Sequence, residues 1–179
     1  LKNVLKAGDS WGKSNDSSGK VLREFVSSNP TGPLHVGHGR GAVLGMALAN
    51  LLENIGFKVT KEYYVNDAGR QISILTSSII LNAYVEDFIS EGTYEGDYIK
   101  SLASEFKDGF GDLDKEINLG KLDEDKDIRL DSTASYLQES FYELWVKARE
   151  FSVDKILEII KSDLHSFGII HDNWFKESS

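Results

Sequence analysis

His35 and His38 stand three residues apart, with Gly37 between them, in the run His35-Val-Gly-His38. At the start of a helix that spacing puts both imidazoles on one face. Such a pair suits three chemistries. Zinc binding needs third and fourth ligands, and the other histidines, His165 and His171, lie far along the chain. A purely structural pair would close the helix start. Phosphate handling uses imidazole N–H groups at the dipole-positive end of a helix, where they stabilise the negative charge that builds on a phosphorus centre. Glycine at 37 lets a ligand approach the backbone closely. Phosphate handling is the favoured reading, and no metal site is expected.

The elements around the pair support it. An apolar strand is predicted over 21–28 through Val21, Leu22, Phe25 and Val26, breaking at Asn29-Pro30-Thr31-Gly32-Pro33, which holds both prolines of the chain. A helix follows with Val43, Leu44, Ala47, Leu48, Leu51, Leu52 and Ile55 at the 3.6 period, ended by Asn54 and Gly56. Residues 57–65 read as a second strand by β-branched and aromatic content. Strand, helix and strand make a βαβ unit with parallel strands and a right-handed crossover. Ligands bind beyond the C-terminal ends of such strands. The breaks at Asn29 and at Asn66–Arg70 then share one edge.

Asp67 is the predicted N-cap of a helix running through Ile72, Leu75, Ile79, Ile80 and Ala83 to Phe88. Residues 90–131 carry many acids and sparse apolar residues. They read as an inserted lobe, partly helical around Tyr98–Phe110, with a mobile acidic loop near Leu122–Asp127. From 132 to 167 the pattern is helical again, as two helices, the second capped by Ser152 or Asp154. A last strand is expected in 169–175. Near the N-terminus a polar loop is expected across 8–20, anchored to the body by Trp11.

Length and composition fit one soluble domain of 179 residues with 40% apolar content. No apolar run reaches the roughly 18 residues of a membrane span. There is no cysteine, so disulfides and thiolate metal sites are excluded, in keeping with a cytoplasmic setting. Residues 1–90 hold 9 Lys+Arg against 8 Asp+Glu, and residues 91–179 hold 11 against 21, which together give the net charge of −9. That balance argues against a broad nucleic-acid surface. The chain opens at Leu1 without methionine, and a fragment of a longer protein is expected.

The segment Ser28-Asn-Pro-Thr-Gly-Pro-Leu-His-Val-Gly-His38 resembles the first signature of class I aminoacyl-tRNA synthetases, the HIGH box. With Glu24-Phe-Val-Ser-Ser before it and Tyr63-Tyr-Val-Asn-Asp-Ala-Gly-Arg-Gln71 after it, the chain resembles the bacterial arginyl-tRNA synthetase family. Tyr94-Glu-Gly-Asp-Tyr-Ile99 and Asp172-Asn-Trp-Phe-Lys-Glu177 extend the likeness over most of the chain.

The resemblance implies a fold, a reaction and a set of residues. The fold would be α/β, a Rossmann-like (HUP-type) half with a parallel sheet over 1–89, an inserted acidic, mainly helical lobe over 90–131, and a helical return with the final strand over 132–179. The reaction would be ATP-dependent activation of arginine to arginyl-adenylate and transfer to tRNA(Arg). His35 and His38 would be catalytic, and Thr31, His35, Gly37 and His38 would bind ATP, which would be a substrate accompanied by Mg2+ rather than a tightly bound cofactor. Glu24, Ser27, Asn29 and His38 would bind arginine. A lone carboxylate within an apolar strand asks for a cation, although an internal ion pair of Glu24 with Arg40 or Arg70 is the competing reading. Asn29 amide groups suit the substrate's α-amino or carboxylate group and also an Asx turn before Pro30.

Some relatives place a lysine where this chain has Gly32 and lack the KMSK loop. Here the lysine loop is expected later in the parent. Neither KMSK nor an anticodon-binding domain lies within these residues, so the chain alone is expected to be an inactive, monomeric part of the catalytic domain. It would meet ATP, L-arginine and tRNA through the full-length protein, away from membranes. The alternatives are an HxGH-type adenylyltransferase and a non-catalytic nucleotide-binding paralogue.

Overall fold

The structure, a computed structural model, describes residues 1–14 and 19–179. A short helix α1 (Lys2–Ala7) and a 3-10 turn lead to strand β1 (Lys20–Glu24), helix α2 (Val36–Asn54) and strand β2 (Lys58–Val65). Helices α3 (Arg70–Tyr84), α4 (Asp97–Phe110), α5 (Lys126–Ser140) and α6 (Tyr142–Ser166) follow, then strand β3 (Asn173–Lys176). The three strands form one parallel sheet in the order β1-β2-β3. The expected α/β architecture and parallel pairing of the first two strands are therefore present. Part of the predicted polar loop, residues 15–18, lies outside the described residues. Trp11, expected to anchor that loop, is 56% exposed, and among the described residues its backbone amide closes a turn on Gly8 O.

Helix α3 is the core helix. Every residue from Ile74 to Leu81 is buried, because α4, α5 and α6 all pack around it. Its hydroxyls survive there by bonding backward along the helix: Thr76 donates to Ile72 O at 2.8 Å and Ser78 to Ile74 O at 2.7 Å. Ile99, Leu102 and Phe106 of α4 join Leu75, Ile79, Leu137, Leu144, Ile156 and Ile160 in a single apolar cluster.

The second half departs from its predicted boundaries. Helix α5 begins at Lys126, inside the acidic run, capped by the Asp125 carboxylate, which accepts from the amides of Asp127 and Ile128. The run is thus partly a helix start. Ser152 is not a cap. It lies inside one 25-residue helix and bonds to Ala148 O at 2.5 Å.

Helix α2 presents the opposite face from the one its periodicity suggests. Ala42, Gly45 and Ala49 are its buried residues, while Val43, Leu44 and Leu51 are more than half exposed. The small residues let the helix lie close to the sheet, with the Phe25 ring filling the space beside Gly45. The larger side chains point away.

Candidate functional site

Strand β1 ends at Glu24 rather than 28, and the reason is a kink. Val26 has φ 68° and Ser27 φ 41°, a left-handed conformation costly for a β-branched residue. Neighbours hold it there. The Phe25 amide still donates to Glu62 O at 3.2 Å, and the buried ring of His171 bonds Phe25 O through Nε2 at 3.2 Å. The Ser27 hydroxyl accepts from the Tyr64 amide at 3.1 Å, taking over a ladder partner that the departing strand withdraws. The Tyr63 hydroxyl donates to Ser28 O at 2.9 Å. Tyr63 is in turn stacked on Trp174 of β3, ring centroids 4.3 Å apart. Backbone strain maintained by so many contacts is a mark of functional corners.

After the kink, Pro30 is fully buried, and the Thr31 amide closes a tight turn on Asn29 O at 2.8 Å. The Asn29 amide donates to Gln71 Oε1 at 2.6 Å, joining the first break to the start of α3. The two breaks at the C-terminal sheet edge thus touch, as the βαβ reading requires. Gln71, unremarked as a site residue in the sequence, was missed because this contact spans 42 positions.

His35 is the N-cap of α2. Its Nδ1 accepts from the Gly37 amide at 3.0 Å, and Nδ1 of His38 accepts from the His35 amide at 3.3 Å. The rings stack with centroids 3.8 Å apart. Two of the amides expected to face an anion are therefore used by the histidines themselves. Because each Nδ1 is an acceptor, each neutral ring carries its proton on Nε2. Desolvation, with a smaller contribution from neighbouring His35, holds the His38 imidazole below its ordinary pKa. The result is a stacked pair of imidazoles, oriented by backbone bonds at a helix N-terminus.

Glu24 is exposed and has no ion-pair partner among the described residues. The competing internal pair is not made. Arg70 instead binds Asp131 at 2.7 Å and Asp127 at 2.8 Å. Near Glu24, partial burial together with the negative charges of Glu177, Asp67 and Glu24 lifts the Tyr64 hydroxyl above its ordinary pKa. Three carboxylates, those of Glu177, Asp67 and Glu24, thus act on Tyr64 at this edge.

Asp67 is not the cap of α3; that position is Gly69. Its carboxylate accepts from the amide of Ser178 at 3.0 Å and from its hydroxyl at 2.5 Å, tying β2 to the residues after β3. A cavity of about 300 Å³ lies beside it, lined by Asp67, Trp145, Arg149, Lys176 and Ser178 among others. None of the sequence-predicted site residues lines it. Among the described residues no group of three or more His, Asp or Glu side chains is arranged to hold a metal, and no helix is long and apolar enough to cross a membrane.

The sequence and the fold have counterparts among known proteins. The chain is 38% identical over 200 residues to the arginine–tRNA ligase of Coxiella burnetii, covering 99% of this chain and 33% of that protein. It is 41% identical over 185 residues to the arginine–tRNA ligase of Magnetococcus marinus, covering all of this chain and 29% of that one. A crystal structure described as an arginyl tRNA synthetase, from Campylobacter jejuni, superposes with a TM-score of 0.67 at 32% identity, over 98% of this chain and 35% of that chain. The arginyl-tRNA synthetase of Thermus thermophilus shares the fold, with a TM-score of 0.53 at 23% identity over 99% of this chain and 27% of that one. The chain thus spans about a third of the length of the curated relatives it matches. The sequence model of the family described as tRNA synthetases class I (R), catalytic domain, matches residues 1–165, and the chain belongs to that family.

Proposed function

We propose that this chain forms the ATP- and arginine-binding corner of an arginine–tRNA ligase. The observation that carries the reading is the reciprocal capping of His35 and His38, which leaves Nε2–H of each ring as its free donor. In the proposed reaction the carboxylate of arginine attacks the α-phosphorus of ATP and pyrophosphate leaves. A hydroxyl of the terminal ribose of tRNA(Arg) then attacks the arginyl carbonyl, the acyl–phosphate bond breaks and AMP leaves. The two N–H donors stabilise charge on the phosphoryl oxygens. Neither acts as a general base in the activation step, since a carboxylate nucleophile has no proton to lose.

Thr31 and Gly37 lie against the nucleotide in this reading, and magnesium travels on the ATP phosphates. Glu24, Ser27, Asn29 and His38 receive arginine, and the negative surroundings of Tyr64 support a cationic substrate. Residues 1–89 act as the nucleotide-binding half, 90–131 as a lobe inserted in it and 132–179 as its return. The protein works as a cytoplasmic monomer on tRNA(Arg).

The test is arginine-dependent ATP–pyrophosphate exchange by the whole gene product carrying this chain, with the 179-residue chain alongside. Exchange is expected with arginine and not with lysine, stimulated by tRNA, and absent from the chain alone. His38→Ala is expected to lower kcat/KM by about 10²–10³, the size of a lost transition-state donor. Adenylate transfer to another acceptor without arginine-dependent exchange would overturn the reading in favour of an adenylyltransferase, and a folded but inactive protein in favour of a nucleotide-binding paralogue.

A further inference from the structure

In the loop before the histidines, Pro30 and Pro33 each fix their own φ and restrict the residue before them, which leaves Thr31 as the residue between them that neither proline restricts. Tyr98 meets the loop there. The Tyr98 hydroxyl donates to Thr31 O at 3.1 Å, and a β-carbon on Gly32 would stand 3.2 Å from the Tyr98 Oη and 3.5 Å from Cζ. Gly32 has no positive φ, so its backbone does not demand glycine. The space beside it is what the tyrosine ring takes up.

Tyr98 is itself firmly mounted. It sits in the first turn of α4, next to the fully buried Ile99. The approach to that turn is tied down where the Tyr94 amide donates to Ser78 Oγ of α3 at 2.9 Å. An element of the 90–131 segment, tied to α3, thus contacts the middle of the loop that leads into His35.

We propose that Tyr98 is a positioning residue of the nucleotide corner. Through Thr31 O and the open flank of Gly32 it sets the height of the Asn29–Pro33 loop, and with it the placement of His35 and His38. The lobe over 90–131 is then a working part of the site and not a passive insertion. The consequence for ATP rests on the function proposed above; the geometric coupling does not.

Two arms test this separately. In the isotopically labelled 179-residue chain, Tyr98→Phe keeps the ring and removes the hydroxyl. The expected result is a displaced Thr31 carbonyl carbon signal and displaced ring nitrogen signals of His35 and His38, with the melting temperature nearly unchanged. In the whole gene product, Tyr98→Phe is expected to lower kcat/KM for ATP about three- to tenfold, the scale of one hydrogen bond. Gly32→Ala is expected to do the same alone and to add nothing to Tyr98→Ala, which empties the space. Unmoved signals from Thr31 to His38, or a lowered melting temperature with kcat/KM for ATP unchanged, would overturn the proposal. If the wild-type protein shows no arginine-dependent exchange, the function reading fails, and the ring signals alone decide for or against Tyr98.

Discussion

The ring of Phe25 occupies the place where Gly45 would carry a side chain: a β-carbon there would lie 2.3 Å from the ring. Phe25 is the last residue before the left-handed kink, and its carbonyl is held by His171. Helix α2 therefore docks on the residue from which the site turns away. Gly45→Ala must push either the helix or the kink. We expect it to destabilise the chain by about 1–3 kcal/mol, the usual range for overpacking a filled site, seen as a lower denaturation midpoint. Unchanged stability would mean that α2 can lift off the sheet freely.

At Val26 the ordinary ranking of substitutions should reverse. Alanine is normally the milder replacement, but at φ 68° a β-carbon is itself the strain. Both variants lose the partial packing of Val26 against the core. Val26→Gly is therefore expected to be less destabilising than Val26→Ala by about 1 kcal/mol. Chemical denaturation of the two variants side by side measures the difference.

The ring protons of the histidine pair can be read directly. Long-range nitrogen–proton correlation at pH 7.5 should show both His35 and His38 as the Nε2–H tautomer. An Nδ1–H tautomer at either ring would contradict the capping bonds.

Stability should fall with acid in two windows. Desolvation holds His171 below its ordinary value, against the raising effects of Phe25 O and Asp172. The unfolded chain then takes up a proton near pH 6.5 before the folded chain does, so stability falls as pH drops below that value. His171→Phe should flatten this part of the profile.

For Asp67, burial raises the carboxyl, but the bonds from Ser178 outweigh it and leave the group below 3.8. Its contribution is present above pH 3.8 and is lost as pH falls through the lower folded value. Asp67→Asn should remove the second decline, as melting curves between pH 7.5 and 3 would show.

The parts of this fold legible in the sequence are those settled by neighbours along the chain. The βαβ unit followed from period and punctuation, and the histidine pair from a helix start only four residues long. The kink was not legible, because Val26 favours a strand on its own and is overruled by Tyr63, Tyr64 and His171. Asp67 looked like a cap because its real partner, Ser178, is 111 positions away. Tyr98 gave no local sign of reaching Thr31, 67 positions earlier. In α2 the apolar period is correct, but small size, rather than hydrophobicity, selected the face against the sheet.

The order β1-β2-β3 also carries a history of assembly. The first two strands are separated by one helix and can pair as soon as both have been synthesised. The other edge of β2 must wait for Asn173, whose partner Glu62 was made 111 residues before. Until then a central strand stands with one bare edge, the kind of surface that recruits wrong partners. Helices packed early on α3 shorten the remaining closure. A translation product that stops before residue 173 would keep both histidines, yet leave the β2 edge open and Asp67 without Ser178. Nascent-chain length, and not only composition, decides when this corner becomes safe from misassociation.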